Sequence, residues 1–213
     1  MAKTLTEDVY EKLRADIINL RMAPGEKVSE AKLAERFQVS RAPIRSVIER
    51  LRAENLVIVK PQIGTIISPV SLDRALDVME VRLLLEPQAA ASAAARIGEA
   101  DMAELRRQVE RLAAATGERE AAINTEVDGF IHETVWRNCG NAEIAAILNG
   151  YRGIIERIQH ASVSSTERLV PSLGELTTIL EALAAKDADG AFAAMRAHLV
   201  NVQRSVRIAV LDG

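Results

Sequence analysis

Apolar residues recur at helical spacing from the first turn of the chain. Val9, Leu13, Ile17 and Leu20 stand four, four and three apart, which makes one buried face of a helix. Pro24-Gly25 ends that pattern with a turn. Ser29 then precedes a short helical stretch, EAKLAERF, with Leu33, Ala34 and Phe37 facing inward. After the tight connection QVS, Ser40 is placed as N-cap of RAPIRSVIERLRAE. Pro43 falls in its first turn, where a missing N–H costs little. Ile44, Val47, Ile48 and Leu51 form the buried side of this helix. The β-branched run LVIVKPQIGTIIS reads as two short strands joined at Pro-Gln-Ile-Gly.

Helix, helix, turn, helix and β-hairpin is the winged helix-turn-helix plan, predicted here over residues 1–69. Ser68-Pro69-Val70-Ser71 is a short linker, with Ser71 expected to cap a long helix. From residue 70 to 213 the pattern is helical throughout. Stops at Gly98, Gly117 and Gly140-Asn141 divide it into a bundle of about six helices. Asn141 reads as a helix cap, and Pro87 inside the first long helix predicts a kink. The fold class is therefore mainly α, a winged helix-turn-helix domain followed by an antiparallel all-α bundle.

Composition agrees. Hydrophobic residues make up 48% of the 213 and aromatics only 3%, so the core is aliphatic and suits helix-on-helix packing. The single cysteine, Cys139, excludes an internal disulfide and a cysteine-based zinc cluster; with Trp136 it reads as core. No apolar run approaches the roughly 18 residues of a membrane span, and Met1–Thr6 is no signal peptide, so no membrane role and a cytoplasmic location are expected.

The net charge is −3, unevenly spread. Residues 1–70 carry 12 Lys+Arg against 9 Asp+Glu, whereas the remainder is acidic. The basic part concentrates arginines on one helix. In a helix-turn-helix the N-terminal residues of the second helix meet base edges in the major groove, and here these are Ser40, Arg41, Ala42 and Arg45. Arg41 and Arg45 share a face, and an arginine fork can read guanine. Arg50 and Arg52 lie further along, where phosphate contact or plain solvation is expected. At the hairpin tip, Gly64 allows close approach to a backbone and Gln62 can reach the minor groove. The competing description is a surface helix with solvated arginines.

The residues just described carry a resemblance. Pro24-Gly25, Leu33-Ala34-Glu35, Val39-Ser40-Arg41, Pro43, Arg45, Leu51, Leu56-Val57 and Gly64 resemble the DNA-binding domain of GntR-family transcription regulators. Asn55 stands where that pattern has Gly; Asn tolerates the left-handed backbone a helix end requires. MEVRLLLEPQAAASAAARI is similar to the opening of the FCD effector domain of the FadR subfamily, with Arg82 and Glu86 at its Arg-x-x-x-Glu positions. The resemblance implies a homodimer on a palindromic double-stranded DNA operator, most simply a repressor. It also implies a six- or seven-helix domain that takes a small organic-acid effector.

Asp128 and His132 are four apart, and His198 lies on the last predicted helix. Together they match three of the four metal ligands of the FCD pattern, for zinc, manganese or nickel. Leu176 stands where the resemblance places the remaining histidine, which makes an acyl-CoA-responsive regulator without metal an alternative. Without the resemblance, Asp128 and His132 read as a surface pair and His198 as a core histidine. Arg82 is the residue expected to hold the effector carboxylate, with Glu86 and Arg152 as further effector-site candidates; Tyr151 and Asn201 share helical positions suited to the cavity. His160 has no assigned place. A metal-dependent enzyme built on Asp128, His132 and His198 is the alternative from a different class, but no general base accompanies the triad.

Overall fold

The computed structural model of the chain describes residues 4–69, 72–117, 120–162 and 169–211. Val70, Ser71 and thus the expected Ser71 cap lie outside the described residues, as does the side chain of His160. The described chain runs α1 (Leu5–Ile18), α2 (Glu30–Phe37), α3 (Arg41–Ala53), β1 (Val57–Lys60), β2 (Gly64–Ile67), α4 (Leu72–Ala94), α5 (Glu99–Ala113), α6 (Glu120–Asn138), α7 (Ala142–Ser162), α8 (Leu169–Ala184) and α9 (Ala188–Leu211). By contact it groups into two compact units, Met1–Ser71 with Gly150–Arg157, and Leu72–Asn149 with Ile158–Gly213.

In the first unit α1 and α2 pack on α3, and α3 leads into β1. Val9, Leu13, Ile17, Leu33, Ile44, Val47, Leu51, Leu56 and Ile67 form one buried core. Leu20 departs from expectation: it lies past the end of α1 with φ +57° and is exposed, because the backbone turns left-handed there and carries the side chain off the apolar face. β1 and β2 pair antiparallel from Val57↔Ile67 to Lys60↔Gly64. The tip between them holds Gln62 at φ +65° and Gly64 at φ +97°. Asn55 does take the left-handed conformation, φ +57°. Its side-chain amide donates to the Gly150 carbonyl at 2.6 Å. Gly153 packs so closely that a Cβ there would lie 2.5 Å from Leu56. Arg14 donates to Glu54 at 2.8 Å and to Glu156 at 2.7 Å, and Arg157 donates to the Ser68 carbonyl at 2.8 Å.

The second unit is an all-α bundle. α4 packs along α9 and against α6, α8 lies on α9, and α5 sits against α6 and α8. The fully buried Ala89, Ala90, Ala93 and Ala94 let α4 approach its neighbours closely, which is how a core poor in aromatics reaches normal density. α4 continues through Pro87 without a break. Asn141 caps α7 as expected, its Oδ1 accepting from the N–H groups of Glu143 and Ile144 at 3.0 and 3.1 Å. α8 begins earlier than the pattern suggests, at Leu169, so that Pro171 occupies its first turn, where proline fits. Among the described residues no helix is long and apolar enough to cross a membrane.

Candidate functional site

Two arrangements stand out, one in each unit. At the start of α3, Ser40, Arg41, Ala42 and Arg45 are all exposed. Ser40 occupies the N-cap position, but its side chain makes no capping hydrogen bond. Its hydroxyl and the first N–H groups of α3 are therefore left for an outside acceptor, and a helix N-terminus favours an anion such as a phosphate. Arg41 has no partner among the described residues. Arg45 donates its Nε to Glu30 at 3.0 Å, which leaves the outer edge of the fork open. Arg50 is differently employed. It donates to Glu7 at 2.7 Å and stacks 3.5 Å above the Tyr10 ring, tying α3 to α1. Arg52 pairs with Glu49 at 3.1 Å. Gln62 and Gly64 sit exposed at the hairpin tip.

In the second unit α6 carries Asp128 and His132 on one face, α9 supplies His198, α4 supplies Arg82 and Glu86, and α8 supplies Glu175. Arg82, Glu86, Asp128, His132 and His198 are all buried, with Glu86 wholly so. The His132 and His198 Nε2 atoms are 3.2 Å apart, and Asp128 reaches them at 3.8 and 3.0 Å. These three side chains can each offer one ligand atom, all within 4.8 Å of one another. Both imidazoles are held from behind by carboxylates: Glu86 at Nδ1 of His132, and Glu175 at Nδ1 of His198, 2.8 Å away. Asn201 in turn donates to Glu175 at 2.9 Å.

A carboxylate behind each ring fixes the tautomer that presents Nε2 to a metal. Two imidazole nitrogens bound tetrahedrally to zinc stand roughly 3.3 Å apart, close to the separation found here. The donor set therefore fits a divalent transition metal with further coordination positions open. Arg82 donates its Nε to Glu86 and places Nη2 3.3 Å from His132 Nε2. A guanidinium beside three convergent ligand atoms is placed to share a carboxylate with a bound cation.

Sequence reasoning did not assign Glu175 a role, because only its neighbour Leu176 was in register with a metal ligand. Leu176 is fully buried and offers no donor. Arg152 falls in the Gly150–Arg157 segment grouped with the first unit and donates to Glu156 at 3.1 Å. Cys139 and Trp136 are core, as expected.

The electrostatics make the cluster self-supporting. Burial pushes Glu86 up, but the charges of Arg82 and His132 outweigh it and hold the carboxyl down at about 2. Asp128 is likewise raised by burial and more strongly lowered by His198 and His132, ending below its usual range. Burial pushes His198 down, yet Asp128 and Glu175 raise it to about 9. In metal-free protein the stabilisation from His198 is complete below its ordinary 6.5 and lost as pH rises through about 9. That from Glu86 is present above 4.5 and lost as pH falls through about 2. Urea unfolding of metal-free protein should therefore show greatest stability near pH 5 to 6, falling by on the order of 3 kcal/mol towards pH 10. His198→Gln should flatten the alkaline limb.

Comparison with known proteins bears on both arrangements. Residues 5–67 match the model of the bacterial regulatory proteins, gntR family, and residues 77–201 match the FCD domain. Over 203 residues the chain is 25% identical to the HTH-type transcriptional repressor RspR of Escherichia coli, covering 95% of this chain and 89% of that one. It is 26% identical over 201 residues to the HTH-type transcriptional repressor GlaR of the same organism, covering 91% of each. The solved structure of E. coli McbR/YncC superposes with a TM-score of 0.75 at 24% identity, covering 99% of both chains, and so shares the fold. The relatives named here are regulators of transcription, which leaves the enzyme alternative without support.

Proposed function

Because the chain belongs to the GntR family of bacterial regulatory proteins, with an FCD domain following its helix-turn-helix head, and is thus a ligand-responsive DNA-binding regulator, we propose that it acts in the cytoplasm as a homodimeric repressor. Its operator is a palindrome, since one winged head offers too few base contacts for strong specificity and two-fold sites suit two-fold proteins. Arg41 and Arg45 read bases, Ser40 and Ala42 approach a phosphate at the start of α3, and Gln62 and Gly64 carry the wing along the neighbouring groove.

The effector is a small carboxylate bound at the buried cluster. The observation that carries this is the convergence of His132 Nε2, His198 Nε2 and Asp128 on one point beside Arg82, each ring backed by a carboxylate. A divalent ion held there by Asp128, His132 and His198 would supply the positive charge that anchors the carboxylate. Arg82 orients the acid through paired N–H groups, and Glu86 holds Arg82 and His132 in place for it.

Two observations favour a metal-free form of the same site. Leu176 removes a ligand, and Asp128 and Glu175 keep a proton on His198 that a metal must displace. Metal analysis of protein purified without added metal separates the two. A near-stoichiometric transition metal, lost in His132→Ala, supports the metal-anchored site. No metal in either protein leaves Arg82 as the main anchor and admits larger acids, acyl-CoA included.

A further inference from the structure

The face of α6 that carries Asp128 and His132 continues one turn towards its N-terminus to Asn124, at the same four-residue spacing. Asn124 is buried, only 5% exposed, and its Oδ1 meets no hydrogen-bond partner among the described residues. An unpaired buried amide costs about 1–3 kcal/mol, and buried polar side chains in folded proteins are nearly always satisfied. The neighbouring polar groups on this face are all partnered: Asp128 by His198, and His132 by Glu86. Trp136 Nε1, one turn beyond His132, also has no hydrogen-bond partner among the described residues. It lies roughly 18 Å along the helix from Asn124, too far for one small ligand to reach both.

We infer that Asn124 is a ligand-contacting, specificity-determining residue of the effector site, and that it selects acids carrying a hydroxyl over their deoxy counterparts. This rests on the reading that the cluster beside Arg82 binds a carboxylate. Along the helix face Asn124 lies one turn, about 5–6 Å, from Asp128 on the side away from His132, level with the body of a small acid whose charged end sits beside Arg82. A hydroxyl both donates and accepts, so it satisfies the amide whichever way its oxygen and nitrogen are turned. An apolar chain at the same place leaves the amide oxygen as unpaired as it is without ligand, so the deoxy acid gains nothing there and the hydroxy acid gains one hydrogen bond.

The test uses full-length protein and calorimetric titration with matched acids: lactate and propionate, malate and succinate, gluconate and hexanoate. Wild type should bind at least one hydroxy acid about tenfold more tightly than its deoxy partner, the worth of one ordinary hydrogen bond. In Asn124→Leu the preference should vanish, with the deoxy acid binding as before, and the ligand-free variant should melt at or above the wild-type temperature. If Asn124→Leu does not fold, Asn124→Ala takes its place in the titration. A variant that keeps the wild-type preference overturns the inference, as does one that melts lower without ligand, which would mark Asn124 as a satisfied core residue. If wild type binds none of these acids, or Arg82→Gln binds them as well as wild type does, the carboxylate reading falls and the inference with it.

Discussion

Arg41→Glu should weaken binding of the full-length protein to DNA from its own promoter region by at least about a hundredfold. Arg41 is exposed in the first turn of α3 and has no partner among the described residues, so its whole fork is available to a base. One bidentate arginine–guanine contact discriminates by roughly 1–3 kcal/mol, and a dimer loses it twice. A glutamate in the same place adds repulsion from the phosphates. Arg50→Ala is the informative contrast. Since Arg50 is engaged by Glu7 and Tyr10, its loss should lower the melting temperature while changing promoter affinity less than Arg41→Glu does. Fluorescence anisotropy with labelled promoter DNA at two salt concentrations measures both. Promoter affinity within threefold of wild type for Arg41→Glu would remove α3 from the reading head.

Glu86→Leu should be among the most destabilising single changes in the helical unit. Glu86 is fully buried and accepts from both Arg82 Nε and His132 Nδ1. Removing it strands a buried guanidinium beside an imidazole, and loss of one partner from a buried ion pair costs about 3–5 kcal/mol. In a chain of this size that corresponds to a fall of roughly 10 °C in melting temperature. Trp136, the chain's one tryptophan, lies on the same helix as His132 and reports the transition by fluorescence. The double variant Arg82→Met/Glu86→Leu should recover part of the loss, because it removes the stranded charge as well. A single variant as stable as wild type would mean the cluster is not held together by charge.

Much of this architecture was legible in the sequence, for identifiable reasons. Helices α7 and α9 carry long apolar periods bounded by caps and glycines, so their limits could be read directly. The wing followed from β-branched residues on either side of Pro61 to Gly64. Leu20 misled because the spacing continues for one position after the backbone has left the helix. Ser40 is a capping residue type at a capping position, yet whether its hydroxyl caps depends on local backbone geometry that spacing does not encode. Arg152 sat at a plausible helical position, but nothing in the sequence says which stretch of a long helix packs with which unit. Gly150 and Gly153 hold the only hint, as small residues where another segment approaches closely.

The buried cluster shows the same division. Asp128 and His132 are legible because a four-residue spacing places both on one face. The backing carboxylates are not, since Glu86 and Glu175 come from two other helices and only packing brings them to the imidazoles. Asn124 gave no signal either: an asparagine within a helix is ordinary until its oxygen is found buried without a partner.

The most direct test of a carboxylate site that controls the DNA-binding head is a promoter-binding titration of wild type and Arg82→Gln, each with zinc present and absent, across a panel of small carboxylates. At least one acid should shift the wild-type binding midpoint fivefold or more, a typical coupling between linked sites, and leave Arg82→Gln unmoved. Equal shifts in the two proteins, or no shift in wild type with any acid, would contradict it.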